Sequence, residues 1–141
     1  MEIKQVTTNE QLEDAYFVRK TVFVDEQQVP LEEEIDQHED EATHVVLYDD
    51  NQPSGAGRVR IVEGYGKIER ICVMKSARKK GVGKVIVTKL EELATKQGVK
   101  KLKLNAQTHA IPFYNKLGYE VVSEEFMDAG IPHVTMVKHC N

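Results

Sequence analysis

The sequence predicts an α/β protein, a mixed central β-sheet with helices on both faces, as one domain over residues 1–141. Three observations carry this reading. Strand-like and helix-like segments alternate as strand, helix, strand, helix, strand through the second half. The stretch from Val82 to about Gln97 keeps apolar residues at helical spacing between two strand signals, which predicts a crossover joining parallel neighbours. Ahead of it, Gly64-Tyr65-Gly66 separates two strand-like runs and predicts a hairpin.

Each element follows from local pattern. Residues 2–7 alternate as a first strand, and Asn9 or Thr8 can cap a helix over 10–22 with the apolar stripe Leu12, Ala15, Tyr16 and Val18. Pro30 punctuates a loop or short second helix through an acidic stretch. His44–Tyr48 is strand-like, and Asp49-Asp50-Asn51-Gln52-Pro53 reads as a turn. Arg58–Val62 and Lys67–Met74 form the hairpin strands. In the helix over 82–97, Val82, Val85, Ile86, Leu90, Leu93 and Ala94 share a face, and Gly98 suits the position just past its end. Lys101–Asn105 alternates as a strand, Ala110–Leu117 is a short helix stopped by Gly118, and Tyr119–Ser123 and His133–Lys138 are closing strands.

Bulk properties narrow the function. Nineteen Lys and Arg against 23 Asp and Glu give a net charge of −4, which argues against nucleic acid as the partner. No apolar run reaches membrane-spanning length, and Met1-Glu2-Ile3-Lys4-Gln5 is not a signal peptide. Cys72 and Cys140 are too few for a disulfide framework, and they lack zinc-site spacing. A reduced, cytoplasmic setting without membrane or metal is the expectation, as a monomer or as a homodimer formed through the last strands.

The run Arg78-Lys79-Lys80-Gly81-Val82-Gly83 stands between a strand and the amphipathic helix. Its glycines allow close backbone approach, and amides at the start of a helix favour an anion such as a pyrophosphate. Arg78, Lys79, Lys80 and Lys84 surround that point with positive charge. A nucleotide P-loop needs glycine at position 78 and Ser or Thr at 85, where Arg78 and Val85 stand. The dinucleotide fingerprint needs Gly or Ala at 86, where Ile86 stands.

What remains, arginine, two residues, glycine, one residue, glycine, resembles the acyl-CoA loop of the GNAT N-acetyltransferase superfamily. A second block, Ala110-Ile111-Pro112-Phe113-Tyr114-Asn115-Lys116-Leu117-Gly118-Tyr119, is similar to that family's downstream signature and stands one helix and one strand away, in the family's order. Across nearly the whole chain the likeness is to the ElaA-like branch, through Arg19-Lys20-Thr21-Val22-Phe23-Val24-Asp25-Glu26-Gln27 with Pro30, Glu32 and Asp36, and through Glu124-Glu125-Phe126, Gly130-Ile131-Pro132-His133 and Met136. One departure is Gln107, where many GNATs place asparagine; Asn105 and Asn115 lie nearby.

The resemblance implies an acetyl-CoA-dependent N-acetyltransferase, or, as the alternative, a silent acyl-CoA-binding sensor or scaffold. It implies that the backbones of Cys72 and Val73 pair with the pantetheine arm, with the Val73 N–H aimed at the thioester carbonyl. Arg78 to Lys84, with Asn105, Gln107, Phe113 and Asn115, complete the cofactor set. As a side chain, Cys72 reads as a small buried hydrophobe. Tyr114, protonated at neutral pH, is the candidate acid for the departing thiolate. The base is open between Glu69, which can instead pair with Arg70 or Arg58, and His133, whose ordinary titration range suits the task. The acceptor side is assigned to Arg19, Phe23, Glu26, Gln27, Glu32 and Asp36, where the acidic run from Glu32 to Glu41 can gather a cationic amine. No cysteine or serine stands with an evident partnered base, so direct attack in a ternary complex is expected over a covalent acyl-enzyme.

Overall fold

The computed structural model describes residues 1–140. Strands β1 (Glu2–Gln5), β2 (Thr43–Asp49), β3 (Gln52–Val62), β4 (Tyr65–Val73), β5 (Lys101–Gln107), β6 (Glu120–Val121), β7 (Phe126–Asp128) and β8 (Ile131–His139) form one mixed sheet in the order β1-β2-β3-β4-β5-β8-β6, with β7 also paired to β8. Among the described residues only β4 and β5 run parallel, joined by helix α3 (Val82–Thr95) as the sequence predicts. Helix α1 (Asn9–Arg19) and the short α2 (Leu31–Glu34) lie in the first half, and α4 (Ile111–Lys116) follows β5.

The two faces of the sheet bury different clusters. Val45, Leu47 and Val59 pack under Ile86, Leu90 and Ala94 of α3, while Val46, Ala56 and Cys72 pack under Ala15 and Val18 of α1. Alternation along β2 supplies both, so Val45, Val46 and Leu47 are all wholly buried. Thr8, rather than Asn9, caps α1 through a reciprocal box with Gln11. The inward face of α1 also includes Arg19, which the apolar stripe did not foreshadow.

Three corrections to the expected elements have physical causes. The helix expected over 10–22 changes at Lys20 into a π-helical segment reaching Glu26, whose last bonds run five residues back, as from the Gln27 N–H to the Val22 carbonyl. β3 begins at Gln52, because the turn occupies only Asp50 and Asn51, both with positive φ, the geometry of a two-residue hairpin. The next hairpin turns at Glu63-Gly64, which leaves Tyr65 and Gly66 inside β4. Strand β7 was not foreseen; it pairs with β8 through the turn Ala129-Gly130.

Candidate active site

β4 and β5 pair only where Gly66–Ile68 face Leu102–Leu104, and beyond that point they part. A bulge bends β4 there: Ala56 faces Cys72 and Arg58 faces Glu69, so Arg70 and Ile71 together oppose Gly57. Arg70 takes φ 62° to make this bend. The result is a cleft of about 940 Å³ between the strand ends, walled by the π-helical segment, the Arg78 loop and α4. Among the sequence-assigned residues, Phe23, Glu26, Gln27, Glu69, Cys72, Val73, Arg78, Lys79, Gly83, Asn105, Gln107, Phe113, Tyr114 and His133 line it.

Beyond Ile68 the edge of β4 facing this cleft pairs with no strand among the described residues. The Met74 N–H donates to the Ser54 carbonyl at 2.8 Å, on the β3 side. Alternate residues of a strand present their backbone groups to opposite edges, so the N–H and C=O of Val73 point into the cleft. The carbonyl accepts from Arg78 Nε at 3.0 Å.

The basic loop ends on Gly81, the residue before α3, at φ 76° and without a side-chain cap. The first helical bond runs from the Val85 N–H to the Gly81 carbonyl, which leaves the amides of Val82, Gly83 and Lys84 without an intrahelical partner. Phe113 closes on this end: a Cβ at Gly83 would meet Phe113 Cζ at 3.1 Å. Any side chain here would have to push the Phe113 ring aside by a few tenths of an ångström, so glycine suits the close approach. Arg78 Nη2 donates to both carboxylate oxygens of Glu26, at 2.8 and 2.9 Å, across the cleft mouth, so a residue assigned to the cofactor and one assigned to the acceptor hold each other. Lys80 pairs with Asp49. The side chains of Lys80, Val82, Lys84 and Asn115 do not line the cleft: Val82 is in the core and the others are exposed. Such a groove, with a strand edge that no neighbouring strand covers and helix-start amides beside Arg78 and Lys79, fits an acyl-CoA.

Tyr114 sits between Phe113 and Tyr119, with ring centroids at 4.9 and 5.8 Å in edge contacts. Burial pushes its phenol well above the ordinary value, so it stays protonated. Burial likewise raises the Cys72 thiol, which points toward the Ala56 carbonyl inside the α1 cluster and behaves as a small hydrophobe. His133 stands opposite Gln107 on the β5–β8 ladder and stacks on Phe126. Its Nδ1 lies 2.7 Å from the Ile131 carbonyl, which can only accept, so the neutral ring carries its proton there and leaves Nε2 as the basic nitrogen. Gln107 donates to the Gln27 side chain at 2.9 Å, bridging the cleft from β5 to the π-helical segment.

Glu69 is differently placed. Burial alone would raise its carboxyl, but hydrogen bonds from Arg60 at 2.7 Å and the charge of Arg58 outweigh burial and hold it below the usual range. Three of the residues assigned to the acceptor side are not in the cleft. Arg19 is wholly buried and binds Glu34 and Glu39 with all three guanidinium nitrogens at 2.7–2.8 Å. Asp36 is bidentate to Arg58 at 2.9 Å and also meets Arg70. Glu32 is exposed on α2. Glu34, Asp36 and Glu39 of the acidic run are thus internal counter-charge for Arg19, Arg58 and Arg70, while Glu32, Glu33, Asp40 and Glu41 are exposed. Lys67 and Arg70, which the sequence reading did not assign to the site, line the cleft instead, Arg70 at the bulge in β4.

The chain matches the acetyltransferase (GNAT) domain over residues 4–140. It is 58% identical over 130 residues to the uncharacterized N-acetyltransferase YjcF of Bacillus subtilis, covering 92% of this chain and 93% of that protein. The fold superposes on Escherichia coli ElaA at TM-score 0.87 with 24% identity, covering 98% of this chain and 99% of that one. An acyl-CoA N-acyltransferase from Pseudomonas aeruginosa superposes at the same TM-score, identity and coverage. A split β4–β5 pair over a basic loop, with two sequence signatures in the expected order, agrees with these matches: the chain belongs to the GNAT acetyltransferase family.

Proposed function

We propose that the protein is an acetyl-CoA-dependent N-acetyltransferase in which an acceptor amine attacks the acyl group directly within a ternary complex. The carrying observation is the cleft itself, where the outward-facing Val73 N–H, the buried Tyr114 phenol and His133 all border the space between β4 and β5. Acetyl-CoA supplies an activated acyl group as a thioester, with the CoA thiolate as leaving group. Val82, Gly83, Lys84 and Arg78 hold the pyrophosphate end, by backbone amides and one guanidinium. The Val73 N–H donates to the carbonyl oxygen where negative charge grows, a preorganised contribution of about two orders of magnitude or more. His133 Nε2 takes the proton that makes the amine nucleophilic, with the ring held by the Ile131 carbonyl. Tyr114, kept protonated by burial, gives a proton to the departing sulfur. Glu69 is a weaker candidate for the base, because Arg58 and Arg60 already engage its oxygens.

Bisubstrate kinetics with an amine panel, read by release of the free CoA thiol, test this. The proposal expects release that requires both substrates and double-reciprocal lines that intersect. Parallel lines indicate an acyl-enzyme, and tight acetyl-CoA binding with no release to any amine indicates the silent binding domain.

A further inference from the structure

Resting on that proposed function, we propose that the acceptor amine carries an anion, a carboxylate or phosphate, which docks on a row of cations on the open face of the sheet. Arg60 of β3 stands directly opposite Lys67 of β4, and Lys67 stands opposite Lys103 of β5. Cross-strand partners share a face about 4.8 Å apart, so three like charges stand side by side, an arrangement that destabilises a sheet unless something compensates it. Lys101, two residues along β5, shares that face, and Lys103 and Lys101 hold their ammonium groups 5.3 and 5.8 Å from the Tyr65 ring centroid.

The carboxylates that meet this row are few. Glu69 contacts Arg60 at 2.7 Å and Lys67 only at 3.5 Å, while Arg58 also claims it; Glu41 reaches Arg60 at 3.3 Å. Lys101 and Lys103 meet no carboxylate among the described residues. In a chain of net charge −4 this is a local excess of positive charge. Of the acidic run that sequence alone assigns to a cationic acceptor, Glu34, Asp36 and Glu39 are taken up by Arg19, Arg58 and Arg70, and Glu41 meets Arg60.

The row leads to the reacting end. Lys103, Asn105 and Gln107 alternate on one face of β5, Lys67 and Asn105 line the cleft, and His133 stands opposite Gln107. Four residues of strand separate Lys103 from Gln107, about 13 Å. An acceptor with its anion on Lys67 and Lys103 therefore places an amine near His133 if nitrogen and anion are roughly that far apart, less the reach of the lysine side chains.

A length-matched series tests this: 1,8-diaminooctane, 8-amino-1-octanol, 8-aminooctanoate and 8-aminooctyl phosphate, each titrated by calorimetry into protein saturated with CoA. The expected result is binding of at least one anionic probe about tenfold or more tighter than the alcohol and the diamine, as charge-assisted contacts give. The carboxylate and phosphate arms separate the two anion types. In the Lys67→Gln/Lys103→Gln double variant that preference falls to near parity, while CoA still binds with parental affinity. Equal or tighter binding of the diamine, no measurable binding of either anion, or an anion preference that survives the double variant overturns the proposal. Failure of the acyltransferase reading shows separately, as absent CoA binding or absent thiol release with every probe.

Discussion

Tyr114 and Glu69 show how environment sets what a titratable side chain can do. Both line the cleft, but burial keeps one protonated, while Arg60 and Arg58 keep the other ionised and engaged. Tyr114→Phe removes the hydroxyl and little else, since both ring contacts survive. The expected outcome is a turnover loss of at least about tenfold with unchanged acetyl-CoA affinity, from steady-state rates beside calorimetry. At this scale the motif residues were legible, because Gly83, Phe113 and Tyr114 belong to local spacing patterns. The roles of Arg19 and Asp36 were not: their partners Glu34, Glu39 and Arg58 lie 15, 20 and 22 residues away, and pairing over such distances leaves no mark on a linear pattern.

At the scale of elements, β3 and α3 explain each other. The sequence reading ended a turn at Pro53 and began the strand at Arg58, which left Gly55 and Gly57 outside it. In the structure these glycines let α3 lie close to the sheet. A Cβ at Gly57 would stand 2.8–2.9 Å from side-chain atoms of Ile71, Ile86 and Leu90, and at Gly55 2.6 Å from Ile86 Cδ1. Gly57→Ala is expected to cost about 1–3 kcal/mol by overpacking, measured as a lower urea midpoint at constant slope. The amphipathic helix over 82–97 and the crossover it forms were readable because one strong period covers them. The bulge at Arg70 and the π-helical segment were not, since both follow from long-range packing against an otherwise regular local pattern.

For the whole molecule, the buried charge network ties α1, α2, β3 and β4 together on the face that bears the cleft. Arg19 and Arg58 are both wholly buried, and their carboxylate partners come from α2, from the segment after it and, for Arg58, also from Glu69 of β4. Burial alone would raise Glu39, but hydrogen bonding from Arg19 and the Asp36 amide brings it down to about 2. Asp36 and Glu69 are also depressed below their ordinary values. A group lowered in the folded state binds fewer protons there than when unfolded, so its stabilisation is full above the ordinary carboxylate range and is lost as pH falls. The protein is expected to lose stability steeply between that range and about pH 2, by denaturant unfolding at stepped pH. Arg58→Met is expected to lower stability at neutral pH by about 3–5 kcal/mol and to flatten that acid slope, since the carboxylates it leaves revert toward ordinary titration.

The most direct test of the central claim, that the β4–β5 cleft and its basic loop hold acetyl-CoA, is calorimetric titration of acetyl-CoA into the parent protein and into Gly83→Glu, with thermal melts to verify that both are folded. The new carboxylate would stand among the amides of Val82 and Lys84 and against Phe113. Micromolar binding by the parent that is lost in the folded variant is the predicted result. No binding by the parent, or equal binding by both, would contradict the account.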